Sequence, residues 1–308
     1  MNTTTSAPRI GLALGSGASR GWSHIGVIKA LGTAGVEADI VCGTSVGAMI
    51  GAAYLAGNLE KLEEWVLGSS RSDVMRFFDI KFSQSGFVNV ERLSSFLHRY
   101  VAAADLCIED LPKQYSAVAT DLDTGREVWL EEGNLADAIR ASMALPGLFP
   151  AVRDDGRWLV DGGLVNPVPV TACRALGADI VIGVNLNSDI VGKRNRKNTT
   201  SVEPESEGML VGLKQRAKGF SSSLFSNGEE EEAAPGAFNA ISSSISIFQD
   251  RITRSRLAGD PADVVISPKL GDMGILEFGR AAEAMKEGED RVRYALPEIE
   301  RVLGMADR

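Results

Sequence analysis

The stretch that decides the fold is Ile40-Val41-Cys42-Gly43-Thr44-Ser45-Val46-Gly47-Ala48-Met49, in which an apolar run leads into a glycine, a serine and a second glycine. A helical run of small residues follows as far as Ala56. This G-x-S-x-G pattern predicts a strand, a sharp turn and a helix. Gly43 and Gly47 suit a strained turn in which the strand and the helix pass close together. Such a turn lifts the hydroxyl of Ser45 clear of the sheet, as a nucleophile requires. A tight turn with an idle serine is the alternative.

Two other loops follow short predicted strands and contain residues suited to catalysis. The glycine loop, Gly15-Ser16-Gly17-Ala18-Ser19-Arg20-Gly21, follows residues 9–14, and Asp161-Gly162-Gly163 follows residues 158–160. In an open α/β sheet, loops at the carboxyl ends of the strands converge on the ligand site. We therefore expect a cradle of backbone amides, the serine and a carboxylate to meet at one edge of the sheet.

A serine hydroxyl needs a base to take its proton, and histidine is the usual one. The two histidines, His24 and His98, fall in predicted helices and away from strand ends, so we interpret them as packed or surface residues. Asp161 is then the best candidate base. An ordinary aspartate has a pKa of about 3.9, and we expect partial burial to raise it. A turn-forming aspartate before two glycines is the alternative.

The glycine loop is open to two interpretations. Amides at the start of the following helix could hold the oxyanion that develops in acyl transfer, or they could hold a pyrophosphate. Gly15, Gly17 and Gly21, with Asp39 further on, are similar to a dinucleotide fingerprint, but the third glycine is displaced by one position. Beside the serine turn and the aspartate, the oxyanion interpretation is favoured.

The order of the predicted elements indicates the architecture. Strands alternate with helices along the whole chain, which is typical of an α/β fold with a mostly parallel central sheet and helices on both faces. Residues 40–57 are uncharged and long enough to be weighed as a membrane span, but their glycines and the serine turn favour a buried strand and helix. We expect one domain over 1–308, with a polar, mobile insertion at about 188–235.

Composition limits the partners and the compartment. The chain has 308 residues and a net charge of −9, so nucleic acid is not expected as a partner. Its three cysteines are few and widely spaced, which fits neither a disulfide framework nor a metal site and suits a reducing compartment. The polar start lacks the features of a signal peptide. We expect a cytoplasmic protein with no cofactor.

Several stretches in the same order resemble the patatin-like phospholipases, and most of all the bacterial RssA-type proteins related to neuropathy target esterase. The similarity covers most of residues 9–187 and 238–275. Its strongest parts are Leu12-Ala13-Leu14-Gly15-Ser16-Gly17-Ala18-Ser19-Arg20-Gly21-Trp22-Ser23-His24-Ile25-Gly26-Val27, Gly43-Thr44-Ser45-Val46-Gly47 and Asp161-Gly162-Gly163. Residues 141–150, 165–169, 251–257 and 260–264 are also similar to the family.

The resemblance implies a three-layer patatin fold and hydrolysis of lipid acyl esters by a serine and an aspartate without a histidine. It assigns Ser45 as nucleophile and Asp161 as proton acceptor. It places the oxyanion hole in the glycine loop, at Gly17, Ala18, Ser19, Arg20 and Gly21, with support from Gly15, Gly43, Gly47, Gly162 and Gly163. Here Ser16 and Ala18 replace two glycines of the commoner Gly-Gly-Gly-x-Arg-Gly pattern. Function survives this change if neither position needs a positive φ.

Three function classes are compatible with these residues: a serine acyl hydrolase, an acyltransferase, and a non-enzymatic adaptor on the same fold. The hydrolase is favoured, because a transferase normally uses a histidine partner and an adaptor does not need both reactive residues. A lipid substrate also requires access to a membrane surface. Residues 74–87 and 210–225 combine bulky apolar side chains with polar ones, so we consider them for peripheral contact with the inner membrane surface.

Overall fold

A computed structural model describes residues 7–69, 90–190 and 237–305. Both stretches considered for membrane contact, 74–87 and 210–225, lie outside the described residues, as does nearly all of the insertion expected at 188–235. The described strands are β1 Ile10–Leu14, β2 Ile40–Thr44, β3 Gln114–Asp121, β4 Glu127–Leu130, β5 Val152–Asp154, β6 Arg157–Asp161, β7 Ile180–Val184 and β8 Val264–Ile266.

Helices precede or follow most of these strands along the chain. They are α1 Ser23–Thr33, α2 Val46–Leu55, α3 Leu59–Gly68, α4 Val90–Phe96, α5 Leu135–Ser142, α6 Val170–Ala175, α7 Ala237–Gly259 and α8 Ala281–Leu303. The α4 helix continues as a π-helical turn, Leu97–Val101, and short 3-10 turns occur at Ala18–Trp22, Ile108–Asp110, Gly162–Leu164 and Phe278–Arg280. Residues 40–57 form β2 and α2, which confirms the predicted buried strand and helix. No helix in the described ranges is both long enough and apolar enough to cross a membrane.

All eight strands belong to one sheet, with the hydrogen-bonded order β5-β6-β3-β2-β1-β7-β8 and with β4 also paired to β3. The run β3-β2-β1-β7-β8 is parallel throughout, whereas β4 and β6 pair with β3 in the antiparallel direction and β5 pairs with β6 in the same way. The predicted mostly parallel sheet is therefore confirmed. The sequence does not predict β5, because its three residues carry no recognisable alternation.

Helices cover the sheet on both faces, as predicted. Along β1, Leu12 and Leu14 enter one buried cluster while Ala13 enters another, because successive side chains of a strand point to opposite faces. The first cluster is completed by residues of α1, α2, α3 and α8, and the second by residues of α6. The sheet is consequently the middle of three layers.

The register along β3 explains how distant parts of the chain meet. Ala117 and Val118 pair with β2 and with β4, whereas Ala119 and Thr120 pair with β4 and with β6. Because β4 pairs with one edge of β3 from Ala117 to Thr120, β2 and β6 share the other edge. The β2 strand ends opposite Val118 and β6, running in the reverse direction, ends opposite Ala119. The two strands therefore meet end to end.

Candidate active site

Ser45 occupies the turn between β2 and α2 in a strained backbone conformation. Its φ is 58° and its ψ is −122°, a region that residues with side chains rarely adopt. The backbone N–H of Ser45 donates to Ser142 Oγ at 2.8 Å, and Ser142 Oγ donates to the carbonyl of Val118 at 2.6 Å. Ser142, the last residue of α5, thus ties the turn to β3. This role of Ser142 was not predicted from the sequence, because only the fold brings the residue to the turn.

The flanking glycines allow the strand and the helix to approach each other, whereas the positive φ belongs to the serine itself. A Cβ on Gly43 would lie 2.4 Å from the backbone of Ala48, and one on Gly47 would lie 2.2 Å from the carbonyl oxygen of Leu14. Neither glycine has a positive φ. Close packing is therefore the reason that both positions need glycine.

Asp161, the last residue of β6, lies next to the serine hydroxyl. Ser45 Oγ donates to Asp161 Oδ2 at 2.6 Å, and the N–H of Gly163 donates to Asp161 Oδ1 at 2.7 Å. Only 2% of Asp161 is exposed. Burial raises the pKa of its carboxyl from 3.8 to about 6, although the hydrogen bonds from Ser45 and Gly163 act in the opposite direction. The carboxyl is consequently a far better proton acceptor near neutral pH than an exposed aspartate.

The route by which Asp161 reaches Ser45 differs from the expected one. We expected three loops at the carboxyl ends of parallel strands, but β6 is antiparallel to β3. The two residues meet because β2 and β6 end at neighbouring positions on the same side of β3. Gly162 then crosses directly over β3, since a Cβ there would lie 2.1 Å from the carbonyl oxygen of Val118.

The glycine loop lies against the serine turn. A Cβ on Gly21 would lie 2.2 Å from the side chain of Val46, the residue after the serine. The N–H groups of Gly15, Ser16 and Ser19 donate to the carbonyls of Val184, Pro167 and Ile275. In the described part of the chain, the N–H groups of Gly17 and Ala18 have no such acceptor. Both N–H groups thus lack a protein acceptor, and Ala18 also lines the pocket that contains Ser45.

Arg20 fixes the orientation of the peptide between Gly17 and Ala18. It is buried, and both its backbone N–H and its Nε donate to the carbonyl oxygen of Gly17, at 3.2 and 3.1 Å. Its guanidinium also donates to the carbonyl of Leu186 at 3.3 Å. In a trans peptide the C=O and N–H groups point in opposite directions. Arg20 therefore turns the N–H of Ala18 away from itself.

Replacement of the two glycines by Ser16 and Ala18 was expected to be harmless if neither position needs a positive φ, and Ala18 does not meet this condition. Its φ is 50°, so this position does adopt a positive φ, whereas Ser16 does not. Alanine in the left-handed region is disfavoured by about 1–2 kcal/mol. The loop keeps its shape despite the replaced glycine, because Arg20 and the bonds of Gly15, Ser16 and Ser19 hold it on both sides.

Neither histidine lies in a position to act as the base, as the sequence predicted. His24 is fully buried in α1, its Nε2 donates to the carbonyl of Gly15 at 2.8 Å, and burial lowers its pKa to about 4. His98 is exposed on the π-helical turn. His24 therefore supports the glycine loop as a neutral side chain.

An apolar pocket opens beside the two reactive side chains. Counting the space that is open to solvent, it measures about 430 Å³, and it contacts both Ser45 and Asp161. Its walls include Met49 of α2, Leu148 and Phe149 of the loop after α5, and Phe278. A mostly apolar lining beside a few polar groups is typical of sites for hydrophobic ligands. An apolar group that enters this pocket would lie next to the serine hydroxyl.

Comparisons with known proteins place the chain in a family. A family model described as patatin-like phospholipase matches residues 12–174. An uncharacterized NTE family protein of Mycobacterium tuberculosis is 31% identical over 344 residues, covering 96% of this chain and 93% of the relative. The lysophospholipase nte1 of Aspergillus fumigatus is 27% identical over 91% of this chain and 18% of its own length. Among solved structures, VipD from Legionella pneumophila has a TM-score of 0.49 and 16% identity over 95% of this chain and 67% of its own.

The α/β fold and these similarities define the protein as a lipid hydrolase. More particularly, the chain belongs to the patatin-like phospholipase family, to which both the match over residues 12–174 and the nearly full-length NTE family relative assign it.

Proposed function

We propose that this protein hydrolyses carboxylic esters of phospholipids or lysophospholipids, with Ser45 as nucleophile, Asp161 as base and an acyl-enzyme as intermediate. The observation that carries the proposal is the 2.6 Å hydrogen bond from Ser45 Oγ to Asp161 Oδ2. It joins a strained serine to a buried carboxyl whose pKa of about 6 suits proton transfer near neutral pH.

The geometry supports a complete cycle of two acyl transfers. As Ser45 Oγ attacks the ester carbonyl, its proton passes to Asp161 Oδ2, and the carbonyl oxygen becomes an oxyanion. The N–H groups of Gly17 and Ala18 donate to that oxyanion. When the C–O bond breaks, Asp161 returns the proton to the leaving alcohol. Water then attacks the acyl-enzyme and gives a proton to Asp161. As the bond between the acyl carbon and Ser45 Oγ breaks, Asp161 returns that proton to Oγ, which releases the fatty acid and the free serine.

The pocket and the relatives support the proposed substrate class. An acyl chain buried among Met49, Leu148 and Phe278 contributes about 0.8 kcal/mol for each methylene removed from water. The head group remains at the mouth, beside the reactive side chains. A related protein is named a lysophospholipase, and this supports a lipid ester over a small soluble ester as substrate.

A fluorophosphonate probe tests the nucleophile. Mass spectrometry should locate its adduct on Ser45, and Ser45→Ala should abolish both labelling and release of fatty acid from lysophosphatidylcholine. Asp161→Asn should lower kcat at least about 100-fold, as loss of a general base does.

Ser95→Ala, at an exposed serine on α4, is the control and should label normally. Labelling elsewhere would contradict the proposal, and absence of any adduct would favour an adaptor. Acyl transfer to an added alcohol in preference to water would identify a transferase.

We also propose, for the whole chain, one cytoplasmic domain that contacts the inner membrane surface peripherally, with residues 188–235 as an insertion in it. Deleting residues 193–232 should weaken flotation with anionic liposomes while leaving hydrolysis of a short soluble ester unchanged. Unchanged flotation would contradict a membrane role for the insertion.

A further inference from the structure

The α7 helix has an unusual distribution of side chains, because polar residues lie on its buried face and bulky apolar residues face outward. Gln249 is 7% exposed, and its neighbour Phe248 is 61% exposed. Ser246, Asp250 and Thr253 are buried on the same face as Gln249. This face packs against the 3-10 turn Gly162–Leu164, directly after Asp161. Buried polar side chains normally have hydrogen-bond partners, so a buried polar helix face next to Asp161 requires an explanation.

Gln249 reaches the turn that holds the carboxylate. The point at which a Cβ on Gly163 would lie is 2.5 Å from Gln249 Nε2, 3.0 Å from Asp161 Oδ1 and 3.1 Å from Ser16 Oγ. The side-chain amide of Gln249 has no hydrogen bond within the described residues, so contact and the dipole of the amide are the ways in which it can influence the turn. The nitrogen end, which is the positive end of that dipole, is the end closest to Gly163.

We infer that Gln249 is a positioning residue for Asp161: from α7 it holds the Gly163 turn in place and directs the positive end of its amide towards the carboxylate. Because the N–H of Gly163 donates to Asp161 Oδ1, any movement of the turn weakens that hydrogen bond. Ser16 Oγ also lies against the turn, 3.1 Å from the same Cβ position, and Asn187 Nδ2 donates to both the hydroxyl and the carbonyl of Ser16. The inference rests on the proposed role of Asp161 as base.

The charged groups on neighbouring elements have other partners. On α7, Asp250 accepts from Arg254 Nε at 3.0 Å, and Arg256 pairs with Glu127 of β4 at 2.7 Å. Arg20 of the glycine loop is bonded to backbone carbonyls. Asp121 of β3 accepts from the N–H groups of Asp123 and Thr124 in its own turn. Burial and the bonds from Ser45 and Gly163 therefore determine the pKa of Asp161, and Gln249 lies next to the second of those bonds.

Two matched variants test the inference through the pH profile of kcat/KM for a soluble short-chain ester. Gln249→Glu adds a negative charge beside the turn, which should move the acidic limb of the profile up by about one to two pH units at an effective dielectric constant of about 20. Phe248→Glu adds the same charge at the adjacent position on the exposed face, and its limb should coincide with that of the wild type. Gln249→Leu keeps the volume without the dipole and should give a smaller upward shift.

The outcomes separate this inference from the proposed function. If Asp161→Asn remains fully active, the proposed base is wrong and the inference fails with it. If Asp161 is required but Gln249→Glu and Gln249→Leu both keep the wild-type limb, only the inference is overturned. Equal shifts in Gln249→Glu and Phe248→Glu would also overturn it, since they would reflect net charge alone. Should Gln249→Glu fail to fold, as judged by circular dichroism, the limb of Gln249→Leu decides.

Discussion

Backbone strain at the level of single residues is concentrated at the site. Three non-glycine residues have a positive φ within the described ranges, and two of them, Ser45 and Ala18, contact the pocket. Such conformations persist where surrounding bonds over-determine them, and they are enriched at functional sites. Ser45 is held through Ser142, and the peptide before Ala18 is held through Arg20. Both strained residues can therefore be tested individually.

Replacing Ala18 by glycine should relieve the strain of its positive φ. We expect Ala18→Gly to increase the free energy of unfolding by about 1 kcal/mol, measured by urea denaturation. Ala53→Gly makes the same chemical change in the regular helix α2 and should decrease stability instead. A loss of stability in Ala18→Gly would show that the positive φ is not strained.

The pKa of Asp161 predicts the pH dependence of activity. In its proposed role as base Asp161 must be ionised, and burial raises the pKa of this carboxyl to about 6. Below that pH, kcat/KM for a soluble ester should fall about tenfold per pH unit. A stopped-flow or pH-stat profile from pH 4 to 8 measures it. A profile that stays flat down to pH 4.5 would contradict a base with a raised pKa.

The same burial should reduce stability at neutral pH. Between the unfolded pKa of 3.8 and the folded value of about 6, the folded state binds more protons, so stability falls as pH rises through this window. Above pH 6 the loss corresponds to about 3 kcal/mol. Asp161→Asn should therefore be more stable than the wild type at pH 7, by about 1–3 kcal/mol. The difference should vanish below pH 4, and urea denaturation at both pH values tests this.

At the scale of elements, Ser142 joins α5, β3 and the serine turn through two short hydrogen bonds. Ser142→Ala would leave the N–H of Ser45 and the carbonyl of Val118 without this partner, so we expect a loss of about 1–3 kcal/mol in stability and a lower kcat. Ser116→Ala is the matched control, since that hydroxyl is equally buried and has no hydrogen-bond partner in the described part of the chain. Equal effects of the two variants would contradict the bridging role.

Local elements were predictable from sequence, and contacts between elements were less so. The strand, turn and helix around Ser45 follow from glycines that permit close packing, and β7 follows from its apolar run. The reversed direction of β6 was not predictable, because five residues carry no information on which way a strand runs beside its neighbour. Ser142 and Gln249 were not singled out either, since a serine or glutamine within a helix looks like any other until the helix is placed against the site.

At the scale of the whole molecule, α8 packs directly on α1, the helix that follows the glycine loop. A Cβ on Gly288 would lie 2.2 Å from the carbonyl oxygen of Ser23, and one on Gly26 would lie 2.0 Å from that of Met285. The two backbones are therefore in contact at both glycines. The helix near the end of the described chain thus supports the loop near its start.

Forcing a side chain into this contact should destabilise the fold. We expect Gly288→Ala to lower the free energy of unfolding by about 1–3 kcal/mol or more, because the obstacle is backbone and cannot rotate away. Gly32→Ala is the control: it lies in α1 with no atom within 4 Å of the added Cβ, so it should be neutral or stabilising. Comparable thermal melts for the two variants would contradict the close helix contact.

The contact between Ser23 and Gly288 has a consequence for synthesis on the ribosome. During translation, Ser45 and Asp161 leave the ribosome well before Gly288. At that stage α1, the helix after the glycine loop, still lacks its packing partner α8. Long-range contacts of this kind form late. The helix that follows the glycine loop can therefore gain its packing partner only after α8 has been translated.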